Sequence, residues 1–150
     1  MGIDILIDRI KQDKKVLIDT NVLIYFLEGN DEFGLASKKV LTLIKNAEVK
    51  GYVSVISLAE LLVKPLKMKD AKLVTEINKF INNFPNLNLV SVDKHVATVA
   101  AQIRAEYGLK MPDALIVSSA ISLKCGIITV DTGFRKIEIP IYDLKSFDTT

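Results

Sequence analysis

The chain has one histidine, one cysteine and no tryptophan among its 150 residues. A single cysteine excludes an internal disulfide framework and a cysteine-rich zinc site, and it fits a reducing cytosol. Cys125 is therefore expected to serve as a small buried hydrophobe. With His95 as the sole histidine, a Ser-His-Asp or Cys-His arrangement would have to use a residue that follows Asp93 at the opening of an amphipathic helix, where it is expected to be solvated. No GxxxxGK[ST] or GxGxxG segment is present, which removes the usual nucleotide and dinucleotide chemistry.

Charge of one sign is also lacking. Twenty Lys and Arg stand against eighteen Asp and Glu, a net +2, and neither half of the chain is a polybasic tail. No apolar run reaches the roughly 18 residues that a membrane span requires, and the opening IDILIDRIKQDKK has no secretory pattern. The expectation is a cytoplasmic protein without a membrane partner. Seven glycines and four prolines are scattered as punctuation, with no repeat and no linker. Residues 1–150 are thus expected to form one domain, with 1–14 as an amino-terminal extension whose Ile3, Leu6, Ile7 and Ile10 line one side of a helix or turn packed on it.

What is present is an alternation of two periodicities. Short β-branched runs at VLID (16–19), GYVSVI (51–56), LNLVSV (87–92), GIITV (126–130) and IPIYDL (139–144) read as strands. Between them apolar residues recur at helical spacing, as in Val40, Leu43, Ile44 and Ala47, or Ile77, Phe80, Ile81 and Phe84. The spacing predicts helices over 33–47 and 70–84, among others. Strands that are apolar along their length and separated by helices imply parallel pairing with helices on both faces. The fold class is α/β, a three-layer α/β/α sandwich.

In an open parallel sheet, ligands bind outside the carboxyl ends of the strands. Four acids fall there. Asp19 ends VLID and is followed by Thr20 and Asn21; Glu60 follows the second strand; Asp113 follows Pro112 at a helix start; Asp131 follows the strand ending ITV. Each also has a local explanation. Asp19 and Asp113 are placed to serve helix amino termini, Ser57 and Glu60 have the spacing of a capping box, and Asp131 opens a turn. Their joint placement along one sheet edge is what predicts convergence. Carboxylates within about 4–6 Å repel one another and raise at least one pKa, so an ionised cluster needs a countercharge. Oxygen-only donors point to Mg²⁺ or Mn²⁺ rather than zinc.

The segments VLIDTNVLIYFLEG, VSVISLAELL and GLKMPDALIVSSAISLKCGIITVDTGF, in this order, resemble the PIN domain family, and within it the VapC-type toxin ribonucleases of prokaryotic toxin–antitoxin pairs. The resemblance runs from Val16 onward. It implies a parallel sheet of about five strands, a Mg²⁺- or Mn²⁺-dependent endoribonuclease acting on RNA, a homodimer, and a cognate antitoxin that covers the site. Carried over, the acidic cluster is Asp19, Glu60, Asp113 and Asp131, as catalytic residues and metal ligands, with Thr20 and Asn21 in support. One departure stands out. The family commonly has Thr-Asn-Asp where this chain has Thr129, Val130 and Asp131, which weakens the side of a second metal.

Two other function classes stay open at this level: a PIN nuclease of RNA processing without a toxin role, and a non-catalytic metal- or phosphate-binding module. The module is disfavoured because the first strand lacks an adjacent acidic pair and no lysine directly follows a late strand. Packing of apolar helix stripes on a partner is a third possibility, although packing on their own sheet explains them. For RNA contacts, Lys110 and Arg104 lie near the Asp113 segment, and Lys64, Lys67, Lys69 and Lys72 cluster against Asp70 alone. A solvated helix connection is the simpler account of that second group. Six Phe and four Tyr form no legible base-stacking platform.

Overall fold

The alternating runs condense into seven helices and five strands in a computed structural model that describes residues 2–145. Residue 1 and residues 146–150, the ends of the expected 1–150 domain, lie outside the described residues. The strands are β1 (Lys15–Ile18), β2 (Lys50–Ser54), β3 (Leu87–Val90), β4 (Gly126–Thr129) and β5 (Ile141–Asp143). The helices are α1 (Gly2–Asp13), α2 (Thr20–Glu28), α3 (Gly34–Lys45), α4 (Val55–Lys67), α5 (Ala71–Asn83), α6 (Lys94–Tyr107) and α7 (Met111–Leu123). A 3-10 turn, Thr132–Lys136, links β4 to β5.

All pairings are parallel, in the order β3-β2-β1-β4-β5. The chain leaves β1 toward β2 on one side and returns to β4 on the other, so the reversal of strand order lies between β1 and β4, where doubly wound sheets open a crevice. The three-layer architecture follows from the pleat. Val16 and Ile18 of β1 and Ile128 of β4 face a core closed by Leu6 and Ile10 of α1, Val22 and Leu23 of α2, Val40 and Ile44 of α3, and Ile77 and Ile81 of α5. Leu17 and Ile127 point the other way, onto Ala100 and Ile103 of α6 and Ala114, Val117 and Ala120 of α7. Alternate residues of one buried strand therefore feed two separate cores.

The structure shortens three expected strands by two residues or more, and of IPIYDL only Ile141–Asp143 is strand. GYVSVI ends as a strand at Ser54, because the Ser54 hydroxyl accepts the Ile56 N–H at 3.1 Å and starts α4, so that Val55 and Ile56 are helical despite their β-branching. LNLVSV stops at Val90, and it is not apolar throughout: β3 is an edge strand with Asn88 and Leu89 exposed. The helices predicted over 33–47 and 70–84 span 34–45 and 71–83. Asp70 caps α5 and Asp93 caps α6, each by accepting a backbone N–H of the first turn. Among the described residues no helix is long and apolar enough to cross a membrane.

Two packing details generate tests. The Ser37 hydroxyl in α3 is completely buried and has no hydrogen-bond partner among the described residues, so Ser37→Ala is expected to stabilise the chain by about 1 kcal/mol in urea unfolding; a loss of stability would show that the hydroxyl is satisfied. At Gly126 a Cβ would sit 2.7 Å from the Pro140 carbonyl oxygen and 2.7 Å from a Tyr142 ring carbon. The Pro140 oxygen accepts the Ile127 N–H and cannot move freely. Gly126→Ala should therefore cost about 1–3 kcal/mol, and an unchanged unfolding midpoint would contradict this packing.

Candidate functional site

β1 and β4 are in register with Ile18 beside Ile128, so Asp19 and Thr129 leave the sheet as neighbours although 110 residues separate them. The Asp19 N–H donates to the Ile128 carbonyl at 2.9 Å, which carries the ladder one step past the strand. Its side chain then caps α2: Oδ1 accepts the Thr20 N–H at 2.8 Å. The second oxygen, Oδ2, accepts the Thr129 hydroxyl at 2.8 Å. Thr129 Oγ1 in turn accepts the Asp131 N–H at 2.9 Å, and Asp131 Oδ1 accepts the Gly133 N–H at 2.8 Å. The local explanations for Asp19 and Asp131 thus hold, and they hold within one constellation rather than in place of it.

For Glu60 the local explanation fails. Ser57 does not cap α4, because Ser54 does, and Glu60 lies in the second turn of the helix. Its Oε1 instead accepts the Thr20 hydroxyl at 2.7 Å, from across the boundary between α4 and α2. Thr20 is thereby joined to two acids, to Asp19 through its backbone and to Glu60 through its side chain. Asp113 occupies the first turn of α7 after Pro112, and the capping position there is Lys110, whose side chain makes no cap bond.

The four acids share one electrostatic field. Burial pushes Asp19 up to about 7, with Asp113 and Asp131 adding to the rise and the hydrogen bonds from Thr129 and Thr20 opposing it. Asp113 is also raised, by burial first and then by Asp131 and Glu60, while Lys110 works in the opposite direction. Each acid appears as a repulsive neighbour of at least one other. Asp19, Glu60 and Asp131 are nevertheless each tied to a hydroxyl or N–H group of the frame, and among the described residues no three such side chains converge closely enough to hold one ion. The donor chemistry fits a hard divalent cation: carboxylate oxygens alone, one of them nearly fully buried, its pKa raised first by that burial and further by Asp113 and Asp131.

The supporting residues divide. Asn21 Oδ1 accepts the Val130 N–H at 3.4 Å, a long bond that links the start of α2 to the residue before Asp131. Lys110 acts electrostatically on Asp113. The Arg104 guanidinium donates to the Leu109 carbonyl at 2.7 Å and so braces the turn between α6 and α7. Lys64 reaches Glu28 at 4.0 Å on the surface, and Lys67, Lys69 and Lys72 are exposed. His95 is exposed and Cys125 buried, its thiol pushed up to about 11 by burial.

The partners of two hydroxyls are not legible in the sequence. Thr129 was visible as a polar residue ending an otherwise apolar buried strand, a signal for a group that serves the strand's end. Ser57 was assigned to the wrong partner, because spacing within one helix cannot reveal a bond to another. A groove beside the acids, between α2, α4 and α5, is lined by Ile24, Leu27, Pro65 and Ile77, with Glu60 and Lys64 at its rim.

Known proteins agree with this construction. The family model for the PIN domain matches residues 16–140. Ribonuclease VapC2 of Methanocaldococcus jannaschii is 24% identical over 140 aligned residues, covering 85% of this chain and 91% of the relative. A toxin–antitoxin complex from Klebsiella pneumoniae contains a chain that is 25% identical, with a TM-score of 0.66 over 82% of this chain and 92% of that one. VapBC2 from Rickettsia felis, bound to a DNA fragment from its promoter, has the same fold at 20% identity, with a TM-score of 0.67 over 85% and 96% of the two chains. A five-stranded parallel sheet with this strand order, and a sequence matched from the first strand almost to the last, establish that the chain belongs to the PIN domain family.

Proposed function

We propose that the chain is a Mg²⁺- or Mn²⁺-dependent endoribonuclease and the toxin of a VapBC-type toxin–antitoxin pair. The reading is supported by the electrostatic link among residues from four separate stretches of chain near the switch point of the sheet: Asp113 and Asp131 act on Asp19, and Asp131 and Glu60 act on Asp113. Membership of the PIN family supports it, as do a relative named as a ribonuclease and a fold shared with toxin–antitoxin complexes.

Asp19 and Asp113 would hold the ion, with Glu60 and Asp131 completing its shell or a weaker second one. The bound cation supplies Lewis-acid polarisation of a phosphate oxygen and eases deprotonation of water near neutral pH. The chain's own part is to fix the donors in advance. Thr129 and the Thr20 N–H occupy one oxygen of Asp19 each and hold the carboxylate plane at the end of β1. Lys110, which acts electrostatically on Asp113, would meet an RNA phosphate. In-line attack of water on the phosphodiester, with the ribose 3′-oxygen leaving, gives products with 5′-phosphate and 3′-hydroxyl ends.

An antitoxin segment seated in the apolar groove between α2, α4 and α5 would reach Glu60 at its rim. Homodimerisation and a cytoplasmic location belong to the same reading.

Asp19→Asn and Asp113→Asn are each expected to reduce Mn²⁺-dependent cleavage of total RNA to the level seen with chelator, while circular dichroism stays that of the native fold. Full activity in either variant rejects the assignment. A second test uses pH. The raised pKa of Asp19 means that the metal-free folded chain binds a proton that the unfolded chain has released between about pH 4 and 7. Its contribution to stability is present below the unfolded pKa and is lost as pH rises through the folded one. In EDTA, wild type should lose more thermal stability than Asp19→Asn between pH 5 and 8, and Mn²⁺ should raise the melting temperature more at pH 8 than at pH 5. Equal metal shifts at both pH values would count against ion binding at Asp19.

A further inference from the structure

Helical hydroxyls in this chain mostly bond to their own helix. Thr42, Thr75, Thr98 and Ser119 each donate to the carbonyl four residues earlier, the usual local solution. Ser57 does not. It is completely buried in the first turn of α4, is spared from capping by Ser54, and has its hydroxyl 2.8 Å from Thr20 Oγ1 on α2. Thr20 Oγ1 is also 2.7 Å from Glu60 Oε1.

Proton counting orders these contacts. An ionised carboxylate accepts only, so the single hydroxyl hydrogen of Thr20 must go to Glu60. The hydrogen between Ser57 and Thr20 then comes from Ser57, giving a directed chain from Ser57 through Thr20 to Glu60. We propose that Ser57 is a positioning residue: its buried hydroxyl commits the Thr20 hydrogen to Glu60 and holds that carboxylate, on an otherwise exposed residue, in the one rotamer that faces the acidic cluster. Glu60 is exposed on α4 and has the rotamer freedom of a long surface side chain. Its only hydrogen-bonded anchor among the described residues is Thr20. The donor in turn is polarised by a second hydroxyl in a water-poor setting, where such chains reinforce one another.

The assignment rests on the ribonuclease reading above for its purpose and on the hydroxyl geometry for its substance, so the test addresses both. In the metal-free protein, ³J couplings of Glu60 should report a single χ1 rotamer in wild type and an averaged one in Ser57→Ala. Ser57→Thr, which keeps the hydroxyl, should retain the single rotamer, and Thr20→Val, which cuts the chain at its middle, should lose it. By calorimetry, Ser57→Ala is expected to weaken Mn²⁺ binding about tenfold. In a Glu60→Ala background the same change should shift it by less than about twofold, since Ser57 then has nothing to position. Averaged Glu60 couplings in wild type, or an equal loss of affinity in both backgrounds, overturn the role given to Ser57. Mn²⁺ binding that is equally tight in wild type and Ser57→Ala does the same and leaves the nuclease reading standing. A wild-type chain with an ordered Glu60 that neither binds Mn²⁺ nor cleaves RNA overturns the nuclease reading and, with it, the purpose assigned to Ser57.

Discussion

The arrangement depends on the burial of one carboxylate. Asp19 is 4% exposed at the end of the central strand, and an unpaired charge in such a place is expensive. The chain meets that cost partly with two donors, an N–H and a hydroxyl, and among the described residues no Arg or Lys forms an ion pair with it. The remaining penalty is visible in a pKa raised to about 7. A fold that served only stability would gain by replacing this group with something apolar. Keeping it, with Asp113 and Asp131 acting on it, supports the demand for a cation that the proposed function makes.

The same demand explains the role of threonine here. Thr129 spends its hydrogen on Asp19 and its lone pair on the Asp131 N–H, so one side chain ties the ends of two elements that meet at the switch point. Thr20 spends its N–H on Asp19 and its hydroxyl on Glu60. Both residues are buried. Neutral donors of this kind order acids without neutralising them, which a lysine or arginine in either position could not do.

Much of this was legible in the sequence. Periodicity alone gave the three layers, because residues such as Val16, Leu17 and Ile18 are apolar in succession and must feed cores on both faces. The four acids could be selected by a topological rule, as each follows a strand or opens the next helix. What could not be read were contacts made across elements. Ser57 and Glu60 have capping-box spacing, and only the proximity of α2 shows that both turn to Thr20 instead. Strand ends were misjudged where a cap outweighed β-branching, as at Ser54, and where an edge position exposed a strand, as at Leu89. Arg104 was chosen for its charge and its nearness in sequence, whereas its guanidinium is engaged on a backbone carbonyl.

The separation of 110 residues between Asp19 and Thr129 bears on the biosynthesis of the protein. Until the ribosome has made β4, β1 can pair with β2, but its other edge has no strand to meet, and the first acid lacks the hydroxyl that holds it. The constellation around Asp19 therefore forms late in synthesis, after the first three strands and the helices between them.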